Sequence, residues 1–286
     1  MAKGRELKGR IRSVENTKKI TRTMEMVAAS KLKRASDRVA SARPFASSLR
    51  EVISSLYSAE LAERFPLLRQ PEREARAAVV LITSNRGLAG AFNANLIREG
   101  RNLVHELEGK GIEVQLHVVG RKGAGYFRYV NRKLASVVTD VSDRPTADDA
   151  ARLVNNLMDD FIAGALDAVY VVSSRFNSAL STPPVSDRIL PVDPPSSSGP
   201  QRDYLLFPDA ESILDELLPT YVRNQVYKAL VETAAGEQGA RRTAMKNATD
   251  NASEMLDVLR RDFNRSRQAQ ITQEIAEIVG GAAALE

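Results

Sequence analysis

The sequence predicts an α/β segment carried between two long helices, one at each end of the chain, whose apolar seams suit them for pairing. Three observations carry that fold class. Residues 5–58 and 208–279 keep a helical pattern with few interruptions. Apolar residues along both stretches recur at spacings of three and four. The middle of the chain alternates strand-like and helix-like runs, the pattern of a largely parallel sheet. The expected division is 1–60, 75–208 and 209–286.

In the first helix only Gly9 and Pro44 interrupt the pattern, and at 1.5 Å per residue it spans roughly 80 Å. Its seam reads Ala28, Leu32, Ala35, Val39, Ala42, Ala46, Leu49, Ile53 and Leu56. Alanine buries little area but lets helix axes approach closely, so the stripe favours a slim rod over a thick core. A helical hairpin that is scaffold alone fits the same pattern. Pro44 lacks a backbone donor, so a local distortion is expected there.

In the middle, strands are expected at 77–83, 113–119, 136–139 and 168–173, and helices at 91–107 and 146–162. Thr146 followed by Asp149 resembles a capping box and marks a helix start. The stretch PVDPPSSSGP, residues 191–200, reads as a loop, with a short strand expected at 203–207. Two glycine groups, Gly87 with Gly90 and Gly120 with Gly123 and Gly125, follow strands and invite comparison with phosphate cradles. Neither has the order G-x-G-x-x-G, and tight strand-to-helix turns explain them more simply.

The C-terminal helix, interrupted at Pro219, Gly236 and Gly239, spans roughly 105 Å. Its expected seam is Met245, Ala248, Ala252, Met255, Leu259, Phe263 and Ser266, with one slip between Leu259 and Phe263.

Composition narrows function. The chain has no cysteine, which excludes disulfides, thiolate catalysis and cysteine metal sites. Its two histidines, His105 and His117, have no carboxylate cluster spaced to join them, so no metal site is expected. No P-loop, nucleophile elbow or paired carboxylates with a discernible partner occur, and neither a catalytic residue nor a cofactor site is assigned. The longest apolar run, residues 77–82, is far short of the ~20 residues needed to cross a bilayer.

Charge is uneven. Residues 1–50 hold fourteen Lys and Arg against four Asp and Glu, while the whole chain carries +5. Such an arm attracts nucleic acid, an anionic membrane or an acidic protein surface, or is simply a solvated face. Nucleic acid is disfavoured, because the basic residues interleave with the seam and no aromatic stacking platform accompanies them.

Residues 20–35, ITRTMEMVAASKLKRA, closely resemble the N-terminal signature of the gamma subunit of rotary F-type ATP synthases. A second resemblance is independent: AMKNATDNA at 244–252, followed by NRSRQAQITQEIAEIVGGAAAL at 264–285, is similar to that family's C-terminal signature. SNRGLAGAFN at 84–93 resembles the family's turn after the first strand, where cysteine more often stands at Ala89 and aspartate at Asn85. Together the motifs cover essentially the whole chain.

The resemblance implies a Rossmann-like foot and an antiparallel coiled coil of the two end helices. It implies a central shaft, one copy per complex, inside a ring of alpha and beta subunits, with the foot on the epsilon subunit and the membrane c-ring. Catalysis then belongs to the beta subunits, and this chain transmits torque in a proton-driven synthase, peripheral to the cytoplasmic face of a bacterial cell membrane. Met24 matches the position facing a beta subunit's acidic lever, although seam packing explains it equally. Arg267, Gln268, Thr272 and Glu274 match positions that bond loops of the surrounding subunits. Lys31, Lys33, Arg34 and Arg38 are expected, from charge and place, to meet acidic surfaces as the shaft turns. At the foot Tyr204 matches a tyrosine near the c-ring, while Phe207 departs from the glutamate of some members. With no cysteine and a short loop near Pro194, no thiol switch is expected. Two other readings compete: a free-standing coiled-coil adaptor using its basic arm on nucleic acid or membrane, and a nucleotide-binding enzyme built on the middle segment.

Overall fold

A computed structural model of the chain describes residues 2–56, 64–71, 73–193 and 209–283. Two compact units divide it: residues 1–28 with 242–286, and residues 29–241. Each long helix contributes to both.

The α/β unit is built on β1 (Arg76–Ile82), β2 (Glu113–Val119), β3 (Ser136–Val138), β4 (Ala168–Ser174) and β5 (Pro184–Leu190). The sheet order is β3-β2-β1-β4-β5, with the first four strands parallel and β5 antiparallel to β4. The connecting helices α2 (Phe92–Gly109) and α3 (Arg121–Tyr129) cover one face. α4 (Ala147–Ile162) covers the other, together with the end of α1 (Ala2–Leu56) and the start of α5 (Ala210–Ala283). With both faces covered, β1 is buried at every residue after Arg76, which is why its sequence RAAVVLI is an apolar run with no alternation.

The expected strands match β1 to β4 within a residue at each end, and α4 begins with the capping box foreseen at Thr146. The Thr146 hydroxyl accepts from the Asp149 amide, and the Asp149 carboxylate accepts from the Thr146 amide. Two elements escaped the sequence reading. α3 lies where Gly123 and Gly125 read as turn residues, since each glycine costs a helix ~1 kcal/mol against alanine. Tertiary packing overrides that preference, because a Cβ on Gly123 would lie 2.9 Å from Val118 Cγ1 and Thr83 Oγ1. β5, PVSDRIL, reads poorly as a strand because Asp187 and Arg188 sit in its middle; as an edge strand with proline first, it tolerates both. The loop expected at 191–200 is irregular at 191–193, and its remainder, the strand expected at 203–207 and Tyr204 lie outside the described residues.

α1 stays helical through Pro44, and α5 through Pro219, Gly236 and Gly239. Within the α/β unit the α1 seam is buried at Leu32, Ala35, Val39, Leu49, Ile53 and Leu56, and half-buried at Ala42 and Ala46. Leu32, Ala35 and Val39 form one cluster with Phe176 of the β4–β5 loop and with Val231 and Ala235 of α5. Lys31 reaches Asp143 at 2.5 Å, and the lysine holds that carboxyl below its usual range.

In the helical unit, the first part of α1 pairs with α5 from about residue 242 to about 266, beyond which α5 is exposed at every position from 271 to 279. Thr21 lies 2.8 Å from Thr249, oxygen to oxygen, and Arg260 donates to Glu15 at 2.7 Å. One chain number falls as the other rises, which makes the pair antiparallel. The C-terminal seam differs from the one expected. Met245, Thr249, Ala252, Leu256 and Leu259 are buried and Phe263 and Ser266 half-buried, whereas Met255 is 54% exposed. These positions alternate four and three without a slip. Thr249 sits in the seam although it is polar, because its hydroxyl is satisfied by Thr21 and by the Met245 carbonyl, and Leu256 takes the place expected of Met255.

His117 lies on the α4 side of β2. Its Nδ1 is 2.8 Å from Ser136 Oγ, while Nε2 is buried without a partner. Desolvation pushes its pKa below 6.5, partly opposed by Asp160. The native state therefore binds fewer protons than the unfolded chain once pH drops below about 6.5. Stability should fall from there down to the native-state pKa and level off below it. Urea midpoints at pH 5 and pH 7.5 are expected to differ less in a His117→Gln variant than in the parent; an equal difference would clear the histidine of any part in acid sensitivity.

Candidate functional site

In an open α/β sheet, ligands bind outside the carboxyl ends of the parallel strands, at the point where the connections diverge to either side. Here that point lies between β1 and β4, and the chain fills it itself. α5 crosses the strand ends: Thr233 Oγ1 accepts from the Ser174 amide at 3.1 Å, and the buried Glu232 carboxylate accepts from the Phe176 amide at 3.1 Å. One turn on, Gly236 presses so closely that a Cβ would lie 2.7 Å from Ser174 Oγ and 3.1 Å from Phe92. Arg241, buried and paired with Glu237 at 2.6 Å, donates to the Gly87 carbonyl.

The glycine groups are also accounted for. At the start of α3, the amides of Arg121, Lys122 and Gly123 donate to Asn85 Oδ1, the Ser84 carbonyl and Thr83 Oγ1. Those donors are the ones a phosphate would need. Ser84 and Asn93 close the preceding turn on each other. The crevice is a joint between helix and sheet, and the enzyme reading finds no cradle there. Among the described residues no cluster of His, Asp or Glu could hold a metal ion. His105 is exposed on α2.

The residues singled out by resemblance fall into distinct settings. Met24 is half-buried in the helical unit, so it packs and presents surface at once. Arg267, Gln268, Thr272 and Glu274 are all exposed on the last turns of α5, where Thr272 donates to the Gln268 carbonyl and Gln270 to Glu274. Sequence reasoning passed over their apolar neighbours. Ile271, Ile275 and Ile278 are 48%, 56% and 72% exposed, a stripe at helical spacing that the described residues of this unit do not cover. Periodicity of the C-terminal segment was the signal available for finding it. On the facing helix Ile20, Met26 and Val27 are exposed too.

The four basic residues of α1 separate. Lys31 is engaged by Asp143, whereas Lys33, Arg34 and Arg38 make no ion pair among the described residues. Among the described residues Arg34 bonds only within its own helix, to Ser30. A charged surface remains, smaller than the sequence implied.

Comparison with known proteins agrees over the full length. The family model for ATP synthase matches residues 3–285. The chain is 64% identical to the ATP synthase gamma chain of Gemmatimonas aurantiaca, with 100% of both chains covered. It is 46% identical to that of Frankia casuarinae, covering 98% of this chain and 97% of the relative, and 45% to that of Moorella thermoacetica, with 100% of each covered. Among solved structures it is similar to a chain of the Tetrahymena thermophila mitochondrial ATP synthase central stalk and c-ring, with a TM-score of 0.62 and 25% identity over 80% of this chain and 99% of that one. A chain of the Euglena gracilis mitochondrial ATP synthase in rotational state 3 shares the fold, with a TM-score of 0.70 and 19% identity over 99% of this chain and 95% of that one. A self-filled crevice, an antiparallel helix pair with an uncovered outer stripe and end-to-end similarity lead to one conclusion: this chain belongs to the ATP synthase gamma chain family.

Proposed function

We propose that residues 1–60 and 209–286 act as the turning shaft of the complex and residues 75–208 as its foot, the shaft passing torque from a membrane c-ring to catalytic alpha and beta subunits. The chain is a non-catalytic central-stalk subunit of a membrane-associated ATP synthase. Among the described residues no helix is long and apolar enough to cross a membrane, so the attachment runs through partners; the cytoplasmic face of a bacterial cell membrane is the proposed location.

The uncovered stripe Ile271, Ile275 and Ile278 carries this reading. Exposed isoleucines in register on a terminal helix need an apolar sleeve, and the polar Arg267, Gln268, Thr272 and Glu274 beside them suit the loops that line such a sleeve. In this reading Met24, Lys33, Arg34 and Arg38 serve the acidic parts of beta subunits, Tyr204 the c-ring, and the foot the epsilon subunit. A lopsided shaft touches each neighbour differently, so its angle shifts each site's conformational equilibrium by differential binding free energy. No observation favours the adaptor reading over this one.

Isolating the native complex tests the assembly: one copy of this chain should co-purify with three alpha-like and three beta-like subunits, and a solitary complex with nucleic acid would refute it. Movement is tested by a disulfide between Met24→Cys and a cysteine placed on beta, which should stop turnover reversibly. For the charged face, reversing Lys33, Arg34 and Arg38 together should cut ATP-driven proton pumping several-fold at low salt, with a smaller deficit at high salt. Lys31 is left intact in that variant, because reversing it would also strand Asp143.

A further inference from the structure

We propose that the α/β unit carries a binding site for a small aromatic carboxylate in the cleft bounded by α1, α4 and α5. The cleft is open along one side and offers about 550 Å³, within the ~300–1,000 Å³ usual for small-molecule pockets.

Its origin lies in the α1 seam. That seam is buried in two separate clusters, one at Leu32 to Val39 and a larger one at Leu49 to Leu56. Between them the seam residues are Ala42 and Ala46, both only half-buried, and Ala42 lines the cleft. α4 faces the gap with Ala147 and Ala151. Alanine on both walls leaves open the space that leucine would close. Tyr227 of α5 packs against both clusters and forms part of the floor.

The lining defines the ligand. Phe45, 56% exposed, and Tyr227 offer aromatic surface to a flat ring. Arg223, half-buried, supplies the polar end: its Nε donates to Asn155 Oδ1 at 2.9 Å, and it makes no ion pair among the described residues. Its two terminal nitrogens are therefore available to a planar two-oxygen acceptor. The first turn of α4 opens onto the same space; Asp149 there is held by the Thr146 amide and by Arg152, which leaves Asp148 as the acidic group at the mouth. Asp148 opposes an anion from the α4 wall, but it is exposed and more strongly screened than the half-buried Arg223. A ring bearing a carboxylate meets the aromatic surface and the guanidinium together.

The site lies outside the shaft reading, and its test needs only the full chain in solution. Titration with 2-naphthoate, read by calorimetry, should give saturable one-to-one binding. Arg223→Gln is expected to weaken it about tenfold, whereas Asp148→Asn should tighten it a few-fold by removing the repulsion. Ala151→Phe, which fills the cleft, should abolish it, with circular dichroism checking that the variant folds. If it does not fold, the opposite signs of the two charge variants decide the matter. The proposal is overturned by any of three results: no saturable binding to the folded parent, undiminished binding in a folded Ala151→Phe variant, or tighter binding of 2-naphthylmethylamine than of 2-naphthoate.

Discussion

Gly120→Ala is expected to destabilise the α/β unit by about 3 kcal/mol or more. Gly120 joins β2 to α3 with φ of 96°, a conformation that disfavours any L side chain. Space forbids the change as well. A Cβ there would sit 2.2 Å from the Thr83 carbonyl oxygen and 2.8 Å from Thr83 Oγ1. The obstacle is backbone, and it is tied in place: the Thr83 amide and hydroxyl both donate to the Val119 carbonyl at 2.8 Å, and the hydroxyl accepts from the Gly123 amide. Gly120 is held from the other side, its own amide donating to the Val138 carbonyl. Relieving the clash therefore means opening the β1–β2–β3 end of the sheet. Gly125→Ala provides the contrast, since nothing lies within 4 Å of that Cβ and alanine favours the helix by up to ~1 kcal/mol. Urea denaturation of both variants should separate them by several kcal/mol in opposite directions. Equal midpoints would mean that the Gly120 turn relaxes freely and that its geometry is not what closes the sheet.

The same pair of glycines marks the limit of what the sequence reveals. Strands β1 and β4 were legible because burial on both faces writes itself as an apolar run, β2 because Val114, Leu116, Val118 and Val119 alternate with polar residues at strand spacing, and α4 because Thr146 and Asp149 announce its start chemically. α3 was not legible: Gly123 stands inside a helix for the sake of Thr83 and Val118, residues far away in the chain. β5 was hidden by Asp187 and Arg188, whose partners Arg175, Glu74 and Asp193 lie on other elements or loops. The helical seam was legible as a rhythm but not residue by residue, because Thr249 becomes a seam residue only when Thr21 faces it. Hydropathy cannot register that pairing.

For the candidate site the division is similar. The signatures around Met24 and Arg267 could be read directly, since short local patterns carry them. That Lys31 is spent on Asp143 could not, because the two are 112 residues apart and nothing local links them. The self-filled crevice was equally invisible. It depends on Gly236 arriving at the end of β4 and Gly239 against Ala179 of the β4–β5 loop, and in the sequence these looked like interruptions of a helix.

Gly236→Val should detach α5 from the strand ends that it crosses. Removing a glycine from a helix interior would by itself help, by less than ~1 kcal/mol for a β-branched residue. Against that, the new Cβ would lie 2.7 Å from Ser174 Oγ and 3.1 Å from Phe92, and valine adds two methyl groups beyond it. Ser174 is fully buried, donates to the Thr182 carbonyl through Oγ and to Thr233 through its amide, and has no alternative pocket in view. Overpacking of this kind costs ~1–3 kcal/mol, and with backbone-tied neighbours the upper end applies, so the clash outweighs the gain in helix propensity. The net loss should appear first as faster hydrogen exchange at the Ser174 amide, whose acceptor Thr233 moves with the helix, and in the assembled complex as ATP hydrolysis that outlasts ATP synthesis. A shaft helix that has lost its seat on the foot can still sit among catalytic subunits, but it passes on less of the turning force. Should the Ser174 amide stay as protected as in the parent, and synthesis remain intact, the close approach at Gly236 is not the joint through which the foot holds α5.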